Sequence, residues 1–189
     1  MTRTTRERPA LPVLLAIALP VLLAVVVAGI GIAGRLGVVA PAEQPVETGP
    51  LAVVPVDAPD ATGPECAALL AALPAELDAA DAPLPGRPLA EPAQPGVRAW
   101  AALPRPVVLR CGLPRPVELT PTSALLEVNG VQWLQLDDGV PDPVVISYVA
   151  VDRPVYAIVT IPPALGSGPL QQLSDVVRAA LPATTVRVR

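Results

Sequence analysis

The stretch LLEVNGVQWLQL, Leu125 to Leu136, decides how the second half of the chain folds. Apolar and polar residues alternate on both sides of Asn129-Gly130. That dipeptide suits a two-residue turn in which both central residues take positive φ, so the stretch predicts a β-hairpin. A second pair follows: VVISYVAV, a tight turn at Asp152-Arg153-Pro154, then VYAIVTI. Both segments are rich in β-branched and aromatic residues, which fit a pleated, half-buried surface.

Outward from the hairpins the period changes. GPLQQLSDVVRAAL spaces Leu170, Leu173, Val177 and Leu181 for one face of an amphipathic helix. The terminal TTVRVR alternates and predicts a last edge strand. Upstream, VVLRCGLPRP gives a short strand, Val107 to Cys111, broken by glycine and prolines. Further back, TGPECAALLAALPAEL predicts a helix with Thr62 as N-cap and Pro64 in the first turn. Leu69, Leu70 and Leu73 form its apolar face before Pro74 ends it. Residues from Pro83 to Gly96 read as a proline-rich loop. The fold class is α+β: a small, mostly antiparallel sheet with two covering helices.

The N-terminal part is of another kind. No charge interrupts LPVLLAIALPVLLAVVVAGIGIA, Leu11 to Ala33. About 20 apolar residues suffice to cross a hydrocarbon core as a helix, and Pro20 is tolerated there. Arg3, Arg6 and Arg8 precede the run, whereas only Arg35 stands between it and Glu43 and Glu47. The positive-inside rule then puts residues 1–10 in the cytoplasm, residues 11–33 across the lipid bilayer and the rest outside. A signal core is shorter and ends at a small-residue site. Val38-Val39-Ala40 is a weak match followed by Pro41, so the expected state is an uncleaved anchor. A domain released after Ala40 is the rival. Residues 34–63, with Pro41, Pro45, Pro50, Pro55 and Pro59, read as an extended stalk. An alternative makes Leu51, Val53, Val54 and Val56 a short strand added to the sheet. The folded domain is expected over 64–189.

The chain has two cysteines, Cys66 and Cys111. In an oxidising compartment an even count favours a disulfide. Closing the loop between them contributes about 4 kcal/mol in the chain-entropy model. The functional alternatives are weaker, because two cysteines without histidine make a poor metal site and a catalytic thiol lacks its usual base.

The block VVLRCGLPRP…LTPTSALLEVNGVQWL, followed by two strands and a terminal LSDVVRAALP helix, resembles an actinobacterial family called domain of unknown function 3515. The pairing of CG-x-PRP with NGV-x-W carries the likeness, over roughly Pro64 to Leu181. The resemblance implies a short protein with one N-terminal membrane segment or signal and a small extracytoplasmic domain. It implies no activity and no catalytic residues.

Composition narrows function mainly by exclusion. Histidine and phenylalanine are absent, proline numbers 27, and every basic residue is arginine. Without histidine, the usual proton shuttle near neutral pH and the commonest metal ligand are missing. The net charge of -4, with three arginines crowded at the N-terminus, argues against a nucleic-acid partner. Thr120, Thr122 and Ser123 read as a hydroxyl-rich turn rather than a nucleophile site. Asp137, Asp138 and Asp142 read as a solvated loop, since the EF-hand spacing is not met. No catalytic, cofactor-binding or metal-ligating residue is expected.

Trp133 on the hairpin is expected in the core. Trp100, in the loop-like GVRAWAALP, and Arg110 and Arg115, around the bridge cysteine, are the candidate partner surface. The leading expectation is a single-pass plasma-membrane protein whose domain serves the cell envelope as a non-catalytic binding or accessory module, with another envelope or membrane protein as partner. The alternative is a carboxylate-based hydrolase of cell-wall material, because two distant acids can converge in a fold.

Overall fold

A computed structural model describes residues 11–35, 45–80, 82–136 and 139–188. The chain forms two units, divided between Pro45 and Val46. In the first, Leu11–Arg35 is a helix, α1, of 25 residues that contains Pro20. Its side chains are described at 18–29 and at 32, and those are exposed. Among the residues whose side chains are described, which in α1 are 18–29 and 32, no helix is long and apolar enough to cross a membrane. Residues 1–10 and 36–44, on which the charge asymmetry and the first part of the stalk fall, lie outside the described residues.

The second unit, Val46–Arg189, is α+β. A helix, α2 (Pro64–Ala72), leads into four strands: β1 (Glu76–Leu77), β2 (Leu84–Arg87), β3 (Val97–Trp100) and β4 (Val107–Leu113). Four more follow: β5 (Leu125–Val128), β6 (Val131–Leu136), β7 (Ile146–Ala150) and β8 (Tyr156–Ile161). A 3-10 turn, η1 (Pro163–Leu165), and the helix α3 (Gly168–Ala180) complete the order. The eight strands form one sheet in the order β1-β2-β3-β4-β8-β7-β6-β5, every strand pair antiparallel. It is two four-stranded meanders joined where β4 meets β8. Residues 114–124 carry the chain from the middle of the sheet to its far edge.

The expected hairpin is present, with Val128 opposite Val131. Asn129 at φ 50° and Gly130 at φ 77° make the turn that the dipeptide predicts. The alternation does what it must: on β4, Val107, Leu109 and Cys111 point to one face, and Val108 and Arg110 to the other. The first face meets both helices. There Trp133, Ala150, Ala157, Val159 and Ile161 pack with Cys66, Leu69 and Leu73 of the α2 side and Leu170, Leu173 and Val177 of α3. Trp133 is fully buried and its indole N–H donates to Ser174 Oγ at 2.9 Å, while that hydroxyl donates to the Leu170 carbonyl at 2.6 Å. A buried indole and a buried hydroxyl thus satisfy each other. A smaller core lies on the opposite face, where Leu119, Leu134, Val149, Val151 and Tyr156 cluster under the 114–123 loop, with Val186 against them.

Four expectations change. The folded unit begins at Val46, not at residue 64. Leu51 forms a parallel bridge with Leu89, its N–H donating to the Pro88 carbonyl at 2.8 Å and its carbonyl accepting from Ala90 at 2.9 Å. The alternative reading of Leu51, Val53, Val54 and Val56 as an added strand is met at Leu51 alone, and no strand forms at 52–56. Pro83 to Gly96, in turn, is not all loop: it contains β2. The N-cap of α2 is Gly63 rather than Thr62. Finally, no strand forms at 181–188; Thr184 makes one backbone bond, to the Asp152 carbonyl at 2.8 Å.

Cys66 and Cys111 are joined in a disulfide, with Cα atoms 5.6 Å apart and both residues buried. The bridge ties α2 to the middle of the sheet. Beside it, Gly112 at φ 87° lets residues 60–61 lie on β4: a Cβ on Gly112 would come within 2.2 Å of the Ala61 nitrogen. The Asp60 N–H donates to the Gly112 carbonyl at 3.1 Å across this contact. Only glycine permits both that φ and that approach.

Candidate functional site

α3 covers the helix-side face of the second meander incompletely. The register places Ile146 opposite Ile161 and Tyr148 opposite Val159, so the four side chains share a face. Leu126, opposite Trp133, and Val128, opposite Val131, continue that face to the free edge of the sheet. α3 begins only at Gly168, after η1 has turned the chain back from β8. What it leaves open is a groove of about 350 Å³, with a floor of Leu126, Val128, Ile146, Tyr148 and Ile161. Pro163, Leu170 and the first turn of α3 wall it. Leu126 remains 45% exposed at its mouth.

The lining is apolar with few polar atoms, the usual make-up of a ligand pocket. The polar groups are the Tyr148 hydroxyl and, on the α3 wall, Ser167 and Gln171. Burial pushes the Tyr148 phenol above its ordinary pKa, so it stays neutral and able to donate. Gln171 Nε2 donates to Ser167 Oγ at 3.3 Å. No residue of the lining is an acid or a strong base.

The residues singled out in the sequence lie elsewhere, and not together. Trp100 is fully buried on the helix side of the sheet, its indole N–H donating to the Pro74 carbonyl at 3.2 Å. It is a core residue and offers no partner surface; the apparent loop around it is β3. Arg110 is on the other face, opposite Ile158 in the register. Burial lowers its pKa, and its Nη1 is buried without a hydrogen-bond partner, beside a small cleft of about 80 Å³ that includes Gln94 and Val97. Arg115 donates from Nη2 to the Leu119 carbonyl and so holds the loop that caps the smaller core. The structure does not bring Arg110, Arg115 and Trp100 into one site.

The hydroxyl cluster is a turn. Ser123 Oγ accepts from the Thr120 N–H at 2.9 Å and donates to the Glu118 carbonyl at 2.9 Å, which occupies it with backbone. Asp142 adopts φ 53°, and Asp137 and Asp138 lie outside the described residues. Among the described residues no three His, Cys, Asp or Glu side chains gather as a metal site.

A buried ion pair lies at the turns of the second meander. Arg153, 2% exposed, pairs with Asp152 Oδ2 at 2.9 Å and donates to the Asp152 carbonyl at 2.9 Å and the Gly130 carbonyl at 2.8 Å. It ties the β7–β8 turn to the β5–β6 turn. From the sequence this residue reads only as part of a turn.

The fold and groove define a small α+β domain with an apolar cleft at a sheet edge; a second cleft, of about 280 Å³, lies on the opposite face between Leu113, Leu136, Val149 and Ile158 and is rimmed by Asp57, Arg115 and Glu118. The chain belongs to the family described as protein of unknown function, DUF3515, whose pattern matches residues 15–186. No curated protein and no solved structure matches it.

Proposed function

We propose that this chain is a single-pass membrane-anchored protein of an actinobacterial cell envelope, with a domain outside the membrane that binds an apolar partner without catalysing a reaction. The observation that carries the binding reading is the groove between β5, β7, β8 and α3. A cleft floored by five apolar or aromatic side chains costs solvation free energy while it stays open, and an apolar partner relieves that cost. The absence of any acid from its lining favours binding over the carboxylate-based hydrolysis that is the alternative. The anchor reading is supported by the uncharged run at 11–33 after three arginines and by the disulfide, which belongs in an oxidising compartment.

Two measurements test it. Protease added to intact spheroplasts should degrade the domain and leave a small N-terminal fragment in the membrane; complete protection of the domain would overturn the orientation. Crosslinking in native membranes should give a discrete adduct through the groove. Ile146→Trp, which fills the groove, should abolish that adduct, and an unchanged adduct would refute the site.

A further inference from the structure

The sheet has two free edges of unequal kind. β1 is two residues long, whereas β5 presents four, Leu125–Val128. The two-residue turn makes Val128 and Val131 a hydrogen-bonded pair, and by alternation Leu126 and Trp133 are the next. The N–H and C=O groups of Leu125 and Glu127 therefore point out of the sheet. Neither residue bonds to anything else among the described residues. Between them Leu126 stands 45% exposed on the helix-side face, at the mouth of the groove.

Such an edge is a template for another strand, and its pattern selects which strand. A closed pair of identical edges is two-fold and hence antiparallel. Outward groups must meet outward groups, so few registers between two copies of β5 remain. Glu127 opposite itself sets like charges together. Leu125 opposite itself brings Glu127 to Ser123, whose N–H already donates to the Thr120 carbonyl at 3.2 Å. A two-fold axis at Leu126 avoids both conflicts. Leu125 of each copy then pairs with Glu127 of the other, every outward group of these residues is bonded, and Leu126 meets Leu126 across the axis.

We propose that β5 pairs with β5 of a second copy about a two-fold axis at Leu126, joining the two sheets edge to edge. The proposal rests on the binding-module reading and names the apolar partner as the protein itself. The two leucines occupy the close, non-hydrogen-bonded position and cover each other, and the two grooves become neighbours on one face. Anchoring in one membrane raises the effective concentration of copies, so a short interface suffices.

The test is cysteine crosslinking of the full-length protein in native membranes with copper phenanthroline, read as dimer on a non-reducing gel. The chain's own cysteines are joined to each other and do not interfere. In the proposed pair the Cα atoms at position 126 lie about 4.5 Å apart, within disulfide reach, and those at 127 about 8 Å apart, beyond it. Leu126→Cys should dimerise at least about tenfold faster than Glu127→Cys or Val117→Cys. Glu127→Pro removes an outward N–H and leaves the bonds to β6 whole; added to Leu126→Cys it should cut the dimer at least about tenfold. Copies carrying Leu125→Cys, mixed with copies carrying Glu127→Cys, should give a dimer that neither gives alone, which reads the register without a proline. A Leu126→Cys protein that stays monomeric, or that dimerises no faster than the variants at 127 and 117, would overturn the proposal. A Leu126→Cys adduct with a different protein would overturn it too, while leaving the binding-module reading in place.

Discussion

The two four-stranded meanders share a topology and differ in what holds them. The first, β1 to β4, is proline-rich and, β4 apart, short-stranded, and is pinned from outside by the Cys66–Cys111 disulfide and by residues 60–61 lying on Gly112. The second, β5 to β8, has a two-residue turn between β5 and β6 and a short one between β7 and β8, and Arg153 reaches from one of these turns to the other. The groove belongs to the second. α3 covers part of that face, with Asn129 of the β5–β6 turn donating to the Gln171 carbonyl and to Asp175, and leaves the stretch from Leu126 to Ile161 open.

The largest expected effect lies at the disulfide. Replacing both cysteines by alanine should cost about 4 kcal/mol, since the bridge closes a loop of sequence separation 45. Urea unfolding of the full-length chain measures this, and a loss under about 1 kcal/mol would mean that packing alone holds the first meander. Arg153→Met comes next, at about 3 kcal/mol, because it leaves Asp152 buried without its cation. Gly112→Ala should cost about 2 kcal/mol. Its hydrogen-exchange signature should sharpen the contrast, with β3 and β4 exchanging faster while β5 and β6 hold. Uniform acceleration would show that the two meanders unfold as one. Asn129→Ala is the mildest, about 1 kcal/mol, from an alanine at positive φ and loss of the 3.0 Å bond to Asp175. Its effect should appear in β5 and β6.

The same division explains what could be read in advance. The second meander and α3 are written in local signals: Asn129-Gly130, alternation in VVISYVAV and VYAIVTI, and a 3.6-residue period from Leu170 to Leu181. Each depends on neighbours in sequence. The first meander depends on distant partners. β2 pairs with β3 across a proline-rich loop, Leu51 meets Leu89 at a single residue, and Trp100 is buried because α2 and its following loop close over it. No period marks such contacts, so Trp100 reads as exposed and residues 46–63 as linker. The disulfide was legible because only two cysteines exist. The groove was not, since Leu126, Ile146, Tyr148 and Ile161 look like ordinary core positions. What uncovers them is where α3 starts, and Ser167-Gly168-Pro169 shows a helix start without showing what that helix leaves bare.

On the function proposed above, the open face of the second meander is where this protein meets its partner. A photo-crosslinking amino acid at Leu126, 45% exposed at the mouth of the groove, tests it against one at Val117, 87% exposed outside the groove. Both variants would be irradiated as full-length protein in native membranes. A defined adduct should form from position 126 and none from position 117. Adducts from 117 alone, or equally from both, would contradict it.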